Sequence, residues 1–240
     1  MNVMKIVETS PNETVARRLS RELIIATALE QIDLTGPHSL TMRSLARRLG
    51  VEAMALYRYV QGKDDLLEGV VDQLMGDLTS NLDNSLSESW QGFLQTFAHE
   101  VRRIAADHPK AFPLVATRHP AAPWLRPPLR SITAVDTFLS TLIRLGFTDE
   151  QAVDAYRAFS SFLLGQLLLE SAVRGAMTGP VGAPLDEGNA AIPHGDGNIS
   201  FDDAPQVIRL RPLLSQDRHD EEFEASLENL LDRLDRDLFR

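Results

Sequence analysis

The chain has no cysteine, which excludes disulfides and thiolate chemistry. It has no run of eighteen consecutive apolar residues, the length a membrane-spanning helix needs. The opening MNVMKIVETSPNETVARR lacks the apolar stretch of a secretory leader. A cytoplasmic protein that makes no use of a membrane is therefore expected. The six histidines (His38, His99, His108, His119, His194 and His219) have no metal-ligand spacing. HExxH, GxSxG and phosphate-loop patterns are missing as well. The carboxylate pairs Asp64-Asp65 and Glu221-Glu222 stand at helix starts, where they complement the dipole. No catalytic set, metal site or cofactor is expected, and the chain reads as a non-enzyme.

Positive charge is also scarce, with 24 Lys and Arg against 34 Asp and Glu, a net −10. The deficit is uneven. Residues 1–65 hold nine basic and eight acidic residues, whereas the remainder hold fifteen and twenty-six. A near-neutral first quarter thus carries a local basic cluster (Arg43, Arg47, Arg48, Arg58, Lys63), and the acidic remainder would be repelled by phosphate.

What is present is concentrated in Thr41–Lys63, TMRSLARRLGVEAMALYRYVQGK. Met42, Leu45, Ala46 and Leu49 recur at i, i+3, i+4 and i+7, the inward stripe of an amphipathic helix. Gly50 supplies the left-handed backbone that ends such a helix. A second helix follows Val51, anchored inward by Leu56 and Val60. Its Ala53, Met54, Ala55, Tyr57 and Arg58 are left to face outward. Helix, glycine turn, helix is the unit that seats its second helix in a DNA major groove. Upstream, Ser20 is placed to cap a helix with Ile25, Ala28, Leu29 and Ile32 at helical spacing, ending near Gly36-Pro37. Downstream, Gly62-Lys63-Asp64-Asp65 opens a helix that runs on to Leu82.

These residues resemble the TetR family of bacterial transcriptional regulators, through Ala26-Thr27-Ala28-Leu29, Leu40–Ala46, Leu49-Gly50-Val51, Leu56–Val60 and Lys63–Leu67. The resemblance implies an all-α fold: a flexible arm over 1–19, a three-helix helix-turn-helix DNA-binding domain over 20–66, and a larger ligand-binding and dimerisation domain over 67–240. It implies a regulator, most often a repressor, that binds a palindromic double-stranded DNA operator as a homodimer and is released by a small-molecule effector. A transcriptional activator of the same family and a helical protein-interaction module without DNA binding are the alternatives. Carried over by position, the DNA contacts are Thr41, Met42, Arg43, Ala53, Met54, Ala55, Tyr57, Arg58, Tyr59 and Lys63. Thr41, Tyr57, Tyr59 and Lys63 suit phosphates, and Arg43 suits a bidentate bond to guanine. Arg17, Arg18 and Arg21, at the end of the arm, are placed to reach phosphates or a minor groove.

Beyond residue 66 the pattern stays helical, with amphipathic stretches near 89–107, 129–145, 149–174 and 220–239. Residues 159–169 are apolar on nearly every side, which implies one face on the core and another on a partner. The last stretch carries a near-heptad of leucines. Two such helices from each of two subunits would build a four-helix interface through Phe159, Phe162, Leu163, Leu167, Leu227, Leu230, Leu231 and Leu234. Residues 175–205, with six glycines and no periodicity, read as a mobile loop.

SWQGFL (89–94), ATRHP (116–120) and residues 146–170 resemble the drug-sensing domain of the family's tetracycline-responsive branch. The positions matching its drug and metal contacts are Thr79, Phe97, Val101, Leu114, Thr117 and Leu169. Leu114 and Leu169 stand where that branch has its histidine and acidic metal ligands, and leucine cannot coordinate a hard cation. The expectation is an apolar pocket walled by Phe97, Val101, Leu114, Phe138 and Leu169. Thr79, Thr117, Arg118, Gln166 and Glu170 would orient a small lipophilic effector there.

Overall fold

The computed structural model describes residues 19–84, 89–117, 119–176 and 204–238, the side chains of 77, 79–84 and 238 excepted. Most of the expected arm, the side chain of Thr79, Arg118 and residues 177–203 of the expected loop lie outside them. Among the described residues the regular structure is helical, without strands.

Helix α1 (Arg21–Thr35) starts where the Ser20 hydroxyl accepts from the Leu23 amide at 3.2 Å, and it stops at Gly36, φ 80°. Ile24, Ile25, Ala28, Leu29 and Ile32 form its buried face. Helix α2 (Met42–Leu49) opens on a reciprocal cap: Thr41 Oγ1 accepts from the Ser44 amide and Ser44 Oγ accepts from the Thr41 amide, each at 3.0 Å. Gly50, at φ 69°, provides the left-handed exit. Helix α3 (Ala53–Leu56) is a single turn continued by an irregular turn over 57–59, shorter than the pattern implied. Leu56 and Val60 are buried as its two inward anchors.

Helix α4 (Lys63–Asn84) joins the two parts of the molecule, packing on α1 and on α5 (Trp90–Asp107). Its Leu66, Val70, Val71, Leu74, Met75 and Leu78 are all buried. Gly69 sits at the close approach to α1, where an added Cβ would stand 2.5 Å from Ile25 Cδ1. Helices α6 (Ile132–Arg144), α7 (Asp149–Val173), α8 (Pro205–Leu214) and α9 (His219–Leu238) complete the larger domain. α6 begins three residues later than its periodicity implied. Pro128 disfavours helical backbone in the residue before it, and the Ser131 hydroxyl accepts from the Ala134 amide at 3.3 Å as the cap. α8 emerges where the expected loop should end, and none of its residues is buried. One apolar cluster runs without a break from Ile24 to Leu234, through both parts.

Six of the eight residues expected at a subunit contact lie inside the protomer instead. Helix α7 has one face on the core and another left open, where Leu169 is 69% exposed and Phe162 half-buried. Phe159, Leu163 and Leu167 lie in the protomer's own core, at 1%, 2% and 0% exposure. Leu227, Leu231 and Leu234 of α9 are buried within the protomer too, on a helix that packs against α7. The physical reason is that α5 and α7 already offer the α9 stripe a complementary apolar face. Of the eight residues expected at a subunit contact, Phe162 and Leu230 retain partial exposure.

Candidate nucleic-acid interface and effector cavity

The corner of α2 and α3 gathers the expected DNA contacts on one surface. Thr41, Arg43, Met54, Tyr57, Arg58, Tyr59 and Lys63 are exposed, while Met42, Ala53 and Ala55 are half-buried against the core. Met54 is 75% exposed, a large apolar side chain left in water. Arg48 is paired with Glu30 at 3.1 Å; Arg43, Arg47 and Arg58 enter no described ion pair. Such unneutralised guanidiniums keep their full charge for phosphates or guanine edges. The hydroxyl of Thr41 is engaged in its helix cap, so this residue brings the start of α2 to the surface rather than offering a free hydroxyl.

Arg21 does not reach outward as expected. Its guanidinium donates twice to Asp65, at 2.7 and 3.1 Å, and once to the Tyr59 carbonyl at 3.0 Å. Asp65 Oδ2 also accepts from the Gln61 amide at 2.7 Å. The hydrogen-bonded Arg21 guanidinium holds the Asp65 carboxyl below the usual carboxylate range. The clamp fixes the 57–61 turn between the starts of α1 and α4. A separation of 44 residues hides it from any local pattern.

In the larger domain an apolar cavity of about 20 Å³ lies among α4, α5, α6 and α7. Its walls are Met75, Phe97, Val101, Leu129, Ala134, Val135, Phe138, Tyr156, Phe159, Ser160, Leu163 and Leu164. Phe97, Phe138, Tyr156 and Phe159 meet mostly edge to face, with centroids 5.4–5.8 Å apart. The space is about that of one water molecule. The polar side-chain groups on the wall are the hydroxyls of Tyr156 and Ser160. Tyr156 donates to the Pro127 carbonyl at 3.0 Å, and burial pushes its phenol up to about 12. A larger trough, about 500 Å³, lies between α7 and the end of α9. It is flanked by the exposed pairs Arg157–Asp154 and Arg233–Asp237, so the smaller space with its apolar wall is the better receptacle for an apolar molecule.

Of the expected pocket residues, Phe97, Val101 and Phe138 line this cavity. Leu114 is buried but not on its wall, and Thr117 turns its hydroxyl to the Leu114 carbonyl at 2.6 Å. Leu169 points to the outside of α7. Glu170 is buried in a network of its own: Arg102 lies 3.5 Å away, Gln166 Nε2 lies at 3.5 Å, and Arg102 also pairs with Asp220 at 2.7 Å and covers the Phe223 ring at 4.4 Å. Gln166 and Glu170 therefore tie α7 to α5 and α9 rather than facing a ligand. Sequence reading missed Tyr156 and Ser160, whose i, i+4 spacing on α7 was the available signal, and it placed Phe159 and Leu163 at a subunit contact instead of on this wall. Among the described residues no group of three His, Asp or Glu is arranged to hold a metal ion.

Polar contacts among the described residues also tie the two parts together. His108 Nδ1 lies 2.8 Å from Asp33, and Lys110 donates to the Leu34 carbonyl at 2.8 Å. Arg130, 8% exposed, reaches the Asp64 carbonyl and Thr117 Oγ1 with its guanidinium at 3.4 Å each. Just past the boundary, His119 Nε2 lies 2.7 Å from Glu68 of α4.

A helical corner with a basic, exposed face, joined by one long helix to a bundle with an apolar cavity, defines a ligand-responsive DNA-binding regulator. Residues 24–70 match the model of bacterial regulatory proteins of the tetR family, and residues 84–237 match the tetracyclin repressor-like C-terminal domain. The chain belongs to the TetR family of transcriptional regulators. An HTH-type transcriptional regulator of Saccharopolyspora erythraea is 31% identical over 156 residues, 65% of this chain and 63% of that protein's length. The class D tetracycline repressor protein of Escherichia coli is 34% identical over 172 residues, covering 70% of this chain and 73% of that protein. A crystal structure described as a possible TetR family transcriptional regulator from Streptomyces coelicolor A3(2) superposes with a TM-score of 0.68 at 26% identity, over 90% of this chain and 98% of that one. Among the described residues no helix is long and apolar enough to cross a membrane.

Proposed function

We propose that the protein is a repressor that binds a palindromic operator as a homodimer and releases it when a small lipophilic effector enters the cavity among α4–α7. The observation that carries this reading is the presence, in one chain, of an exposed face bearing Arg43 and Arg58 and of an apolar cavity walled in part by Met75 of α4. Two reading heads related by a dyad would address half-sites one DNA turn apart, about 34 Å. Partial exposure of Phe162 and Leu230, with Leu169 outside, supports α7 and α9 as the contact between copies. The class D relative is a repressor that carries the name of tetracycline. Here the apolar wall, without a carboxylate or imidazole, favours a ligand held without a metal.

Fluorescence anisotropy with duplexes tiled across the DNA upstream of the protein's own gene tests the reading. Saturable, salt-sensitive binding of one fragment by a dimer is expected, abolished by scrambling either half-site. A monomer at micromolar concentration, or equal affinity for scrambled DNA, would refute it.

A further inference from the structure

The cavity has no charged wall residue, and a buried charge without a partner is strongly disfavoured. The faces and edges of Phe97, Phe138 and Phe159 suit a flat ring. Met75 is the adjustable part of the wall, since a thioether chain changes rotamer readily. Of the wall's two hydroxyls, Ser160 and Tyr156, the second leads out of the cavity: burial keeps its phenol protonated across the physiological range, and its hydrogen is given to the Pro127 carbonyl.

The segment that carbonyl belongs to runs directly toward the reading head. Leu129, two residues on, lines the cavity. Arg130 follows, with its amide on the Val115 carbonyl at 3.0 Å and its guanidinium on the Asp64 carbonyl in the first turn of α4. Its buried Nε has no hydrogen-bond partner, so the grip is incomplete. The next residue along α4, Asp65, is the one that Arg21 clamps together with the Tyr59 carbonyl. Continuous contacts thus lead from the cavity wall to an exposed residue of the DNA-facing turn.

We propose that the effector is a small uncharged aromatic molecule bearing one hydrogen-bond acceptor, and that it acts by drawing the Tyr156 hydroxyl from the Pro127 carbonyl, which loosens Arg130 on Asp64. The proposal rests on the repressor reading above and names both the ligand class and the trigger. Entry requires the rings to part, because the resting space holds about one water; the energy of opening lowers the apparent affinity.

Three naphthalenes of the same ring test it: 2-acetylnaphthalene (neutral, one acceptor), naphthalene (no acceptor) and 2-naphthoate (charged). Each is titrated into the full-length protein, with melting temperature and anisotropy of the bound promoter duplex as readouts. The ketone is expected to raise the melting temperature and release DNA. The hydrocarbon is expected to raise the melting temperature without release, and the carboxylate to do neither. Tyr156→Phe is expected to bind the duplex about three- to tenfold more weakly with no probe present, the worth of one hydrogen bond, and to change by less than about twofold on adding ketone. Arg130→Met should show the same insensitivity while still being thermally stabilised by the ketone. Release by naphthoate as effective as by the ketone, no stabilisation by either neutral probe, or a Tyr156→Phe protein released like wild type overturns the proposal. If a variant fails to fold, the ranking of the three probes on wild type still decides. Wild type that binds no promoter DNA refutes the repressor reading itself. Wild type that binds DNA and ignores the ketone refutes only this inference.

Discussion

Arg21 and Asp65 face each other through two hydrogen bonds, 2.7 and 3.1 Å long, and the same guanidinium holds the Tyr59 carbonyl. The start of α1, the 57–61 turn and the start of α4 are thereby set by one ion pair. Its side chains are 39% and 27% exposed, so solvent screening limits its contribution. Asp65→Ala also strips the Gln61 amide of its acceptor, and the expected loss is ~1–2 kcal/mol, read from the urea midpoint. The Asp65 carboxyl titrates lower folded than unfolded. Its contribution is therefore complete above the unfolded carboxylate value, about 4, and disappears as pH falls through the lower folded value. Wild type should lose its advantage over Asp65→Ala in that acid window. An unchanged gap there contradicts the assignment.

Gly69 and Gly76 should respond oppositely to alanine. Both lie within α4, where alanine is favoured by up to ~1 kcal/mol. At 76 the new methyl meets nothing within 4 Å, so Gly76→Ala should raise the melting temperature. At 69 it meets Ile25 Cδ1 at 2.5 Å and Cγ1 at 3.0 Å, and overpacking of ~1–3 kcal/mol outweighs the propensity gain. Thermal melts of the two single variants check the contrast.

Phe138 is 2% exposed and touches the rings of Phe93, Phe97, Tyr156 and Phe159. Phe138→Ala should destabilise the protein by ~3–5 kcal/mol through lost burial and a new void. Equilibrium denaturation measures the loss. Naphthalene should restore part of the melting temperature by filling that void.

Arg43→Ala should weaken operator binding by ~1–3 kcal/mol, selectively at one base pair of each half-site. Lys63→Ala should weaken binding to all operator variants alike and flatten the salt dependence. Anisotropy against single-base operator variants separates the two. Uniform loss for Arg43→Ala would make it a phosphate contact.

Local chemistry was legible in the sequence. Ser20 caps α1, and Gly50 turns the chain at the end of α2. These signals act within four residues, and the periodicity behind them located the buried stripes. What covers a stripe is a long-range matter. The leucines of α9 looked like a seam for a second subunit, yet α7 of the same chain takes them in. Glu170 looked like a pocket anchor because it stands one residue past Leu169, the position matched to an acidic ligand; its partner Arg102 lies 68 residues away. Leu114 and Leu169 were placed on a pocket wall by matched position, and rotation of α7 carries Leu169 outward. The Tyr156–Pro127 bond joins the interior of α7 to the loop before α6, which no periodic pattern pairs.

Helix α4 closes the apolar interior of the reading head on one side and that of the sensing bundle on the other. A chimeric regulator spliced at residue 66 would leave Ile24, Ile25 and Leu29 without their wall and present a greasy patch to water. Interchangeable heads of this architecture must travel with α4 attached, and swaps between relatives will tolerate divergence in α2 and α3 far better than along the α1–α4 seam.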